Sequence, residues 1–156
     1  MKIKSTMPLL ALLVSAGALT SGASAAGSGS TLVIRHQLQG CHSWSANGDA
    51  YKPTQAIKLH RGASLSVTNN DVMPHKLIET SGPAVKITRL SPGMGMGMKG
   101  TFPPALLPRM GSSSKVTFTK PGVYKFTTKA GEDYSWAAHM KTTGEDNVLR
   151  LTVSVH

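Results

Sequence analysis

The feature that most restricts what this chain can fold into is a series of short runs in which apolar residues recur at every second position. Leu32, Ile34, His36 and Leu38 share one parity in 31–39, Ile57 and Leu59 in 56–60, and Leu65 and Val67 in the run after Gly62. His75 and Leu77 follow in 75–79, Val116 and Phe118 in 114–119, Tyr124, Phe126 and Thr128 in 123–128, and Leu149, Leu151, Val153 and Val155 in 148–156. A two-residue period sends alternate side chains to opposite faces of an extended strand, so each run has one apolar and one polar face. Turn formers separate the runs: Arg61-Gly62, Asn69-Asn70-Asp71 and Lys120-Pro121-Gly122. Seven strands, with an eighth weaker one at 85–89, predict an all-β sandwich with Greek-key connections. Residues 80–113, rich in Gly, Pro and Met, read as a long surface excursion.

The N-terminus has a different composition. Lys2 and Lys4 precede an apolar stretch from Pro8 to Leu19, and Ala23-Ser24-Ala25 follows. That order is the pattern of an export signal, and the stretch is shorter than the ~20 residues a membrane span needs. The expected organisation is a signal peptide over 1–26, a Gly/Ser linker over 27–30 and one domain over 31–156. The product is expected to be periplasmic or extracellular, in the cell envelope.

Removing Lys2 and Lys4 from the 17 basic residues leaves 15 against 7 acidic ones. The cations are scattered, and no run interleaves them with aromatics as nucleic-acid modules do, so no nucleic acid is expected as a partner. A basic exported domain suits an acidic redox partner or an anionic envelope surface. Nothing in the chain reads as a nucleophilic triad or a carboxylate pair, which disfavours hydrolysis. Cys41 is the sole cysteine. An unpaired thiol in an oxidising compartment is a reactive group, an intermolecular partner or a metal ligand.

Two stretches resemble cupredoxins. Ile57-Lys-Leu-His-Arg-Gly62, then Leu65-Ser-Val-Thr-Asn-Asn-Asp71 and Met73-Pro-His75, is similar to the family's strand, turn and strand leading to its first copper-binding histidine. Lys120-Pro-Gly-Val-Tyr-Lys-Phe126 is similar to the family's P-G-x-Y-x-F strand, and Leu149-Arg-Leu-Thr-Val153 to its last strand. The resemblance implies a cupredoxin-like Greek-key sandwich of seven to eight strands, with copper as cofactor and His75 as a ligand. The sequence departs from the family at one decisive place. Two residues after Phe126, where the family has its cysteine, stands Thr128; the following segment holds His139 and Met140 but no thiol. A blue centre depends on a short Cu–thiolate bond in a His₂Cys plane, so an ordinary one is not expected.

The donors point to a rearranged set. Gly40-Cys41-His42-Ser43-Trp44 puts a thiol and an imidazole side by side, a pairing suited to copper or zinc. Neighbours on a strand face opposite ways, so Cys41 and His42 ligate together only if the chain turns near Gly40. The expected metal ligands are His75, Cys41, His42, His36 and His139. His60 and His156 fall on outward parities. Met94, Met96 and Met98 alternate with glycine, and thioethers suit Cu(I), although Met residues also fill gaps in mobile segments. The function expected is electron transfer or copper handling, with a metal-free cupredoxin-fold binding module and a small copper-dependent redox enzyme as the alternatives.

Overall fold

The computed structural model describes residues 29–36, 42–94, 102–130 and 149–156. Ten strands follow in chain order: β1 (Ser30–His36), β2 (His42–Ala46), β3 (Thr54–Leu59), β4 (Ser64–Asn70), β5 (His75–Ser81), β6 (Lys86–Pro92), β7 (Leu106–Leu107), β8 (Ser112–Thr117), β9 (Gly122–Ala130) and β10 (Leu149–Val155). They form two five-stranded sheets, ordered β2-β1-β4-β8-β6 and β3-β10-β9-β5-β7. Both are mixed: β1 runs parallel to β4 and β3 parallel to β10, while the other pairs are antiparallel. The chain is an all-β sandwich of two mixed sheets.

The alternation explains why the sheets meet face to face. Leu32, Ile34, Leu65, Val67 and Val116 of the first sheet are fully buried, as are Tyr124, Leu149 and Val153 of the second. Burying a Leu or Val side chain stabilises by about 1.5–3 kcal/mol, and the period-two pattern puts these residues on the inner faces. Phe118 stands edge-on to Tyr124, with ring centroids 4.9 Å apart, and to Phe126 at 6.2 Å. The Tyr124 hydroxyl donates to the Lys120 carbonyl at 2.6 Å, closing the turn before β9.

Two regions differ from the sequence expectation. Within 80–113, β5 extends to Ser81, β6 pairs with β8, and β7 adds to the edge of the second sheet beside β5. β6 is an edge strand that is nowhere fully buried, so its alternation is blurred. Leu107 is a core residue at 1% exposure, but a two-residue strand carries no period to read. The Arg89 guanidinium donates to the carbonyls of Pro103 and Leu106 and ties this segment down. The second difference is β2: Trp44, read with the donor cluster, lies buried in the core.

Polarity along the sandwich follows from the register. The β3–β4 and β8–β9 turns close one end. At the other lie the ends of β1, β4, β6 and β9 and the starts of β2, β5, β8 and β10.

Candidate metal centre

At that second end the inward row of β4 changes character. Leu65 and Val67 are followed on the same face by Asn69, fully buried. Its side chain does the work of a local scaffold. Asn69 Oδ1 accepts from the Asp71 amide at 2.9 Å. Asn69 Nδ2 donates to the Met73 carbonyl at 2.8 Å and to the Leu107 carbonyl at 3.1 Å, which joins one sheet to the other. Asp71 Oδ1 accepts from the Met73 amide at 3.1 Å, forming the short side-chain turn that Asn and Asp favour. Pro74 is buried and fixes the approach to β5.

This scaffold presents one acid and one imidazole to each other. His75 is fully buried, and its Nε2 lies 3.2 Å from Oδ2 of Asp71, which is 1% exposed. With Asp71 ionised, its carboxylate accepts from Nε2–H, and in the neutral ring the lone pair is then on Nδ1. Carboxylate–imidazole bonding of this kind orients metal-ligating histidines and raises their basicity. Asp71 itself was not among the residues singled out from the sequence. Its signal was the spacing Asn69-x-Asp71-x-x-x-His75, in which both side chains serve the histidine turn.

The neighbouring strand bears on the donor set. His75 is registered with Ala130 of β9 and Leu77 with Thr128. Thr128 therefore lies on the inner face, diagonally across from His75, at a Cβ separation of roughly 7 Å or less. It is fully buried, and its hydroxyl has no hydrogen-bond partner among the described residues. An unsatisfied buried hydroxyl costs about 1–3 kcal/mol, so a polar group has been kept at an unfavourable interior position beside the histidine. It is an oxygen donor of low acidity, not a thiolate.

The remaining expected ligands are placed by backbone alone or not at all. His36 and His42 end β1 and begin β2, and their Cα atoms are register partners. Arg35 is registered with Asn70, so His36 stands one step on, level with Asp71. Both are in the sheet opposite to His75 but at its end of the sandwich. Their side chains, and all of Cys41 and His139, lie outside the described residues. The strand ends flanking Cys41 (His36 and His42) and those flanking His139 (Ala130 and Leu149) belong to this same end. Among the described residues no group of three His, Cys, Asp or Glu side chains converges. What fits a copper ion here is the donor chemistry of an oriented imidazole beside a buried hydroxyl.

His60 and His156, by contrast, are exposed at the opposite end, stacked edge to face with centroids 4.8 Å apart. Burial raises the Glu79 carboxyl above its ordinary value, against the opposing effect of a hydrogen bond from the Val85 amide, and burial lowers the Arg89 guanidinium. Glu79 lies four residues along β5 from His75, while the Arg89 guanidinium reaches the Leu106 carbonyl beside Leu107, the register partner of His75. No described helix is long and apolar enough to cross a membrane.

No protein-family model and no curated protein matches the chain. Among solved structures it is similar to a Cu(I) form of an amicyanin variant, at 15% identity and a TM-score of 0.36 over 80% of both chains. It is also similar to a purple cupredoxin from Nitrosopumilus maritimus, at 17% identity and a TM-score of 0.39, covering 80% of this chain and 98% of that one.

Proposed function

We propose that this is an exported copper-binding protein with a rearranged ligand set, acting in electron transfer or copper handling. The observation that carries the reading is the buried Asp71–His75 pair at the end of the sandwich where the strands flanking Cys41, His42 and His139 also terminate. In this reading His75 holds copper through Nδ1, Asp71 keeps the ring oriented, and Asn69 keeps the turn from relaxing. Cys41 supplies the soft anionic donor that Thr128 does not, and His36, His42 and His139 are the further imidazoles of the set. Copper supplies one-electron redox chemistry when bound. The outer face of the β3-β10-β9-β5 sheet carries the exposed cations Lys58, Lys76, Lys125 and Arg150, which supports an acidic redox partner or an anionic envelope surface.

Titration of the mature protein with copper tests this, followed by visible absorption and by the alkylation rate of Cys41. The expected result is one equivalent bound, an intense thiolate-to-copper band lost in Cys41→Ser, and slowed alkylation, because a metal-bound thiolate is a poor free nucleophile. Alkylation that proceeds at the same rate with and without copper removes Cys41 from the set. Absence of stoichiometric binding favours a metal-free module.

A further inference from the structure

The Gly93-Met94 step that follows β6 is not absorbed by the centre around His75, and its backbone is tied to the chain opposite. Past the last β6–β8 partners, Pro92 and Ser112, the chain continues in step: the Met94 amide donates to the Met110 carbonyl at 2.9 Å. Met94 and Met110 thus stand opposite one another. A glycine with positive φ lies beside each, Gly93 at 84° and Gly111 at 79°. A Cβ added to Gly93 would come within 2.6 Å of the Ser112 nitrogen and 2.7 Å of the Met110 oxygen, so only glycine fits. The Met94 side chain runs over the space that Gly111 leaves vacant, its Cγ 3.8 Å from where a Cβ would be.

Met73 is anchored to the same point. The Gly111 amide donates to the Asn69 carbonyl at 2.7 Å, while the Asn69 side chain holds the Met73 carbonyl. Three methionine backbones are therefore fixed within two neighbouring connections around one buried asparagine. Met94 is 73% exposed, which does not suit a residue recruited to fill a core gap. Met73 and Met110 are half-buried.

We infer that Met94 and Met110, with Met73 as third donor, form a second metal site, selective for a soft monovalent cation such as Cu(I). Neutral thioethers favour Cu(I) and Ag(I) and discriminate against harder divalent ions. The site is distinct from the His75 centre but adjoins it, since Met73 is two residues from His75. Its role is capture of Cu(I) at the surface before the ion reaches the imidazole. The role in loading rests on the copper reading above; thioether binding does not.

The test is titration of the full mature protein, carrying ¹³C-methyl methionine, with Ag(I), then Cu(I) under reductant, then Zn(II). Ag(I) and Cu(I) should shift the methyl signals of Met94, Met110 and Met73, and Zn(II) should leave them in place. The shifts should persist in His75→Ala, which separates this site from the other. Met94→Leu with Met110→Leu, swaps that conserve volume and fold, should weaken Ag(I) binding by roughly tenfold or more. Unmoved methyl signals, an unchanged Ag(I) affinity in the double variant, or shifts that vanish in His75→Ala would overturn the inference. Loss of Cu(II) binding in His75→Ala with the methyl shifts retained supports both sites. Methyl shifts without any Cu(II) binding support this one alone.

Discussion

The two ends of the sandwich carry histidines of opposite character. At one end His60 and His156 are exposed, rest against each other and lie beside tight turns: the Gly62 amide bonds to the Phe118 carbonyl at 2.7 Å, and the His156 amide to the Leu59 carbonyl at 3.1 Å. At the other, His75 is buried against a buried carboxylate, and Asn69 and Asp71 devote their side chains to the turn that carries it. The same residue type is a solvated surface group in one place and an oriented interior base in the other. An interior carboxylate–imidazole pair is costly to desolvate and is weak evidence of stabilisation. Among the described residues such a pair stands at this end alone, the end where the proposed centre lies.

The contrast can be broken most severely through the histidines. His75→Ala should abolish tight copper binding, a loss of several orders of magnitude, while far-ultraviolet circular dichroism stays β-type. His60→Ala should leave affinity unchanged. Equal affinities in the two folded variants would mean that burial and the Asp71 contact do not distinguish the ends.

A smaller effect is expected from the scaffold. Asn69→Ala removes three hydrogen bonds and leaves the Met73 and Leu107 carbonyls and the Asp71 amide short of partners, for a loss of roughly 2–4 kcal/mol in urea unfolding. Copper affinity should fall as well, because the turn holding His75 loosens. A variant as stable as the parent would show that this end is held by β5 alone.

The smallest effect concerns Glu79, outside both ends. Burial raises its carboxyl above the ordinary 4.5, so the folded chain retains a proton that the unfolded chain releases. Stability is then greatest below 4.5 and declines as pH rises through the interval between the unfolded and folded values. Glu79→Gln should flatten that decline in melts taken from about pH 4 to about pH 7. An unaltered slope would assign it to another group.

By itself the sequence determined the sheet architecture, because period-two alternation leaves no other way to bury Leu32, Ile34, Leu65, Val67, Val116, Phe126, Leu151 and Val153 together. It also identified His75 as buried and His60 and His156 as exposed, since parity alone separates them. It read β6 only as a weak strand at 85–89 and did not reveal β2 or β7: an edge strand with no fully buried residue blurs its alternation, the β2 segment reads as a donor cluster, and a two-residue strand has no period to detect. Nor did it select Asn69 and Asp71, which as letters are an ordinary turn signal. Parity along β4 puts Asn69 on the face of Leu65 and Val67, but only the tertiary structure decided that its side chain bridges two sheets and that Asp71 meets an imidazole. The reason is that strand pairing brings Leu107, 38 residues away, within hydrogen-bond reach of Asn69, and no local pattern encodes that distance. The same long-range register sets the strand ends beside Cys41, His42 and His139 at the end where His75 lies, although in sequence they are scattered from one end of the domain to the other.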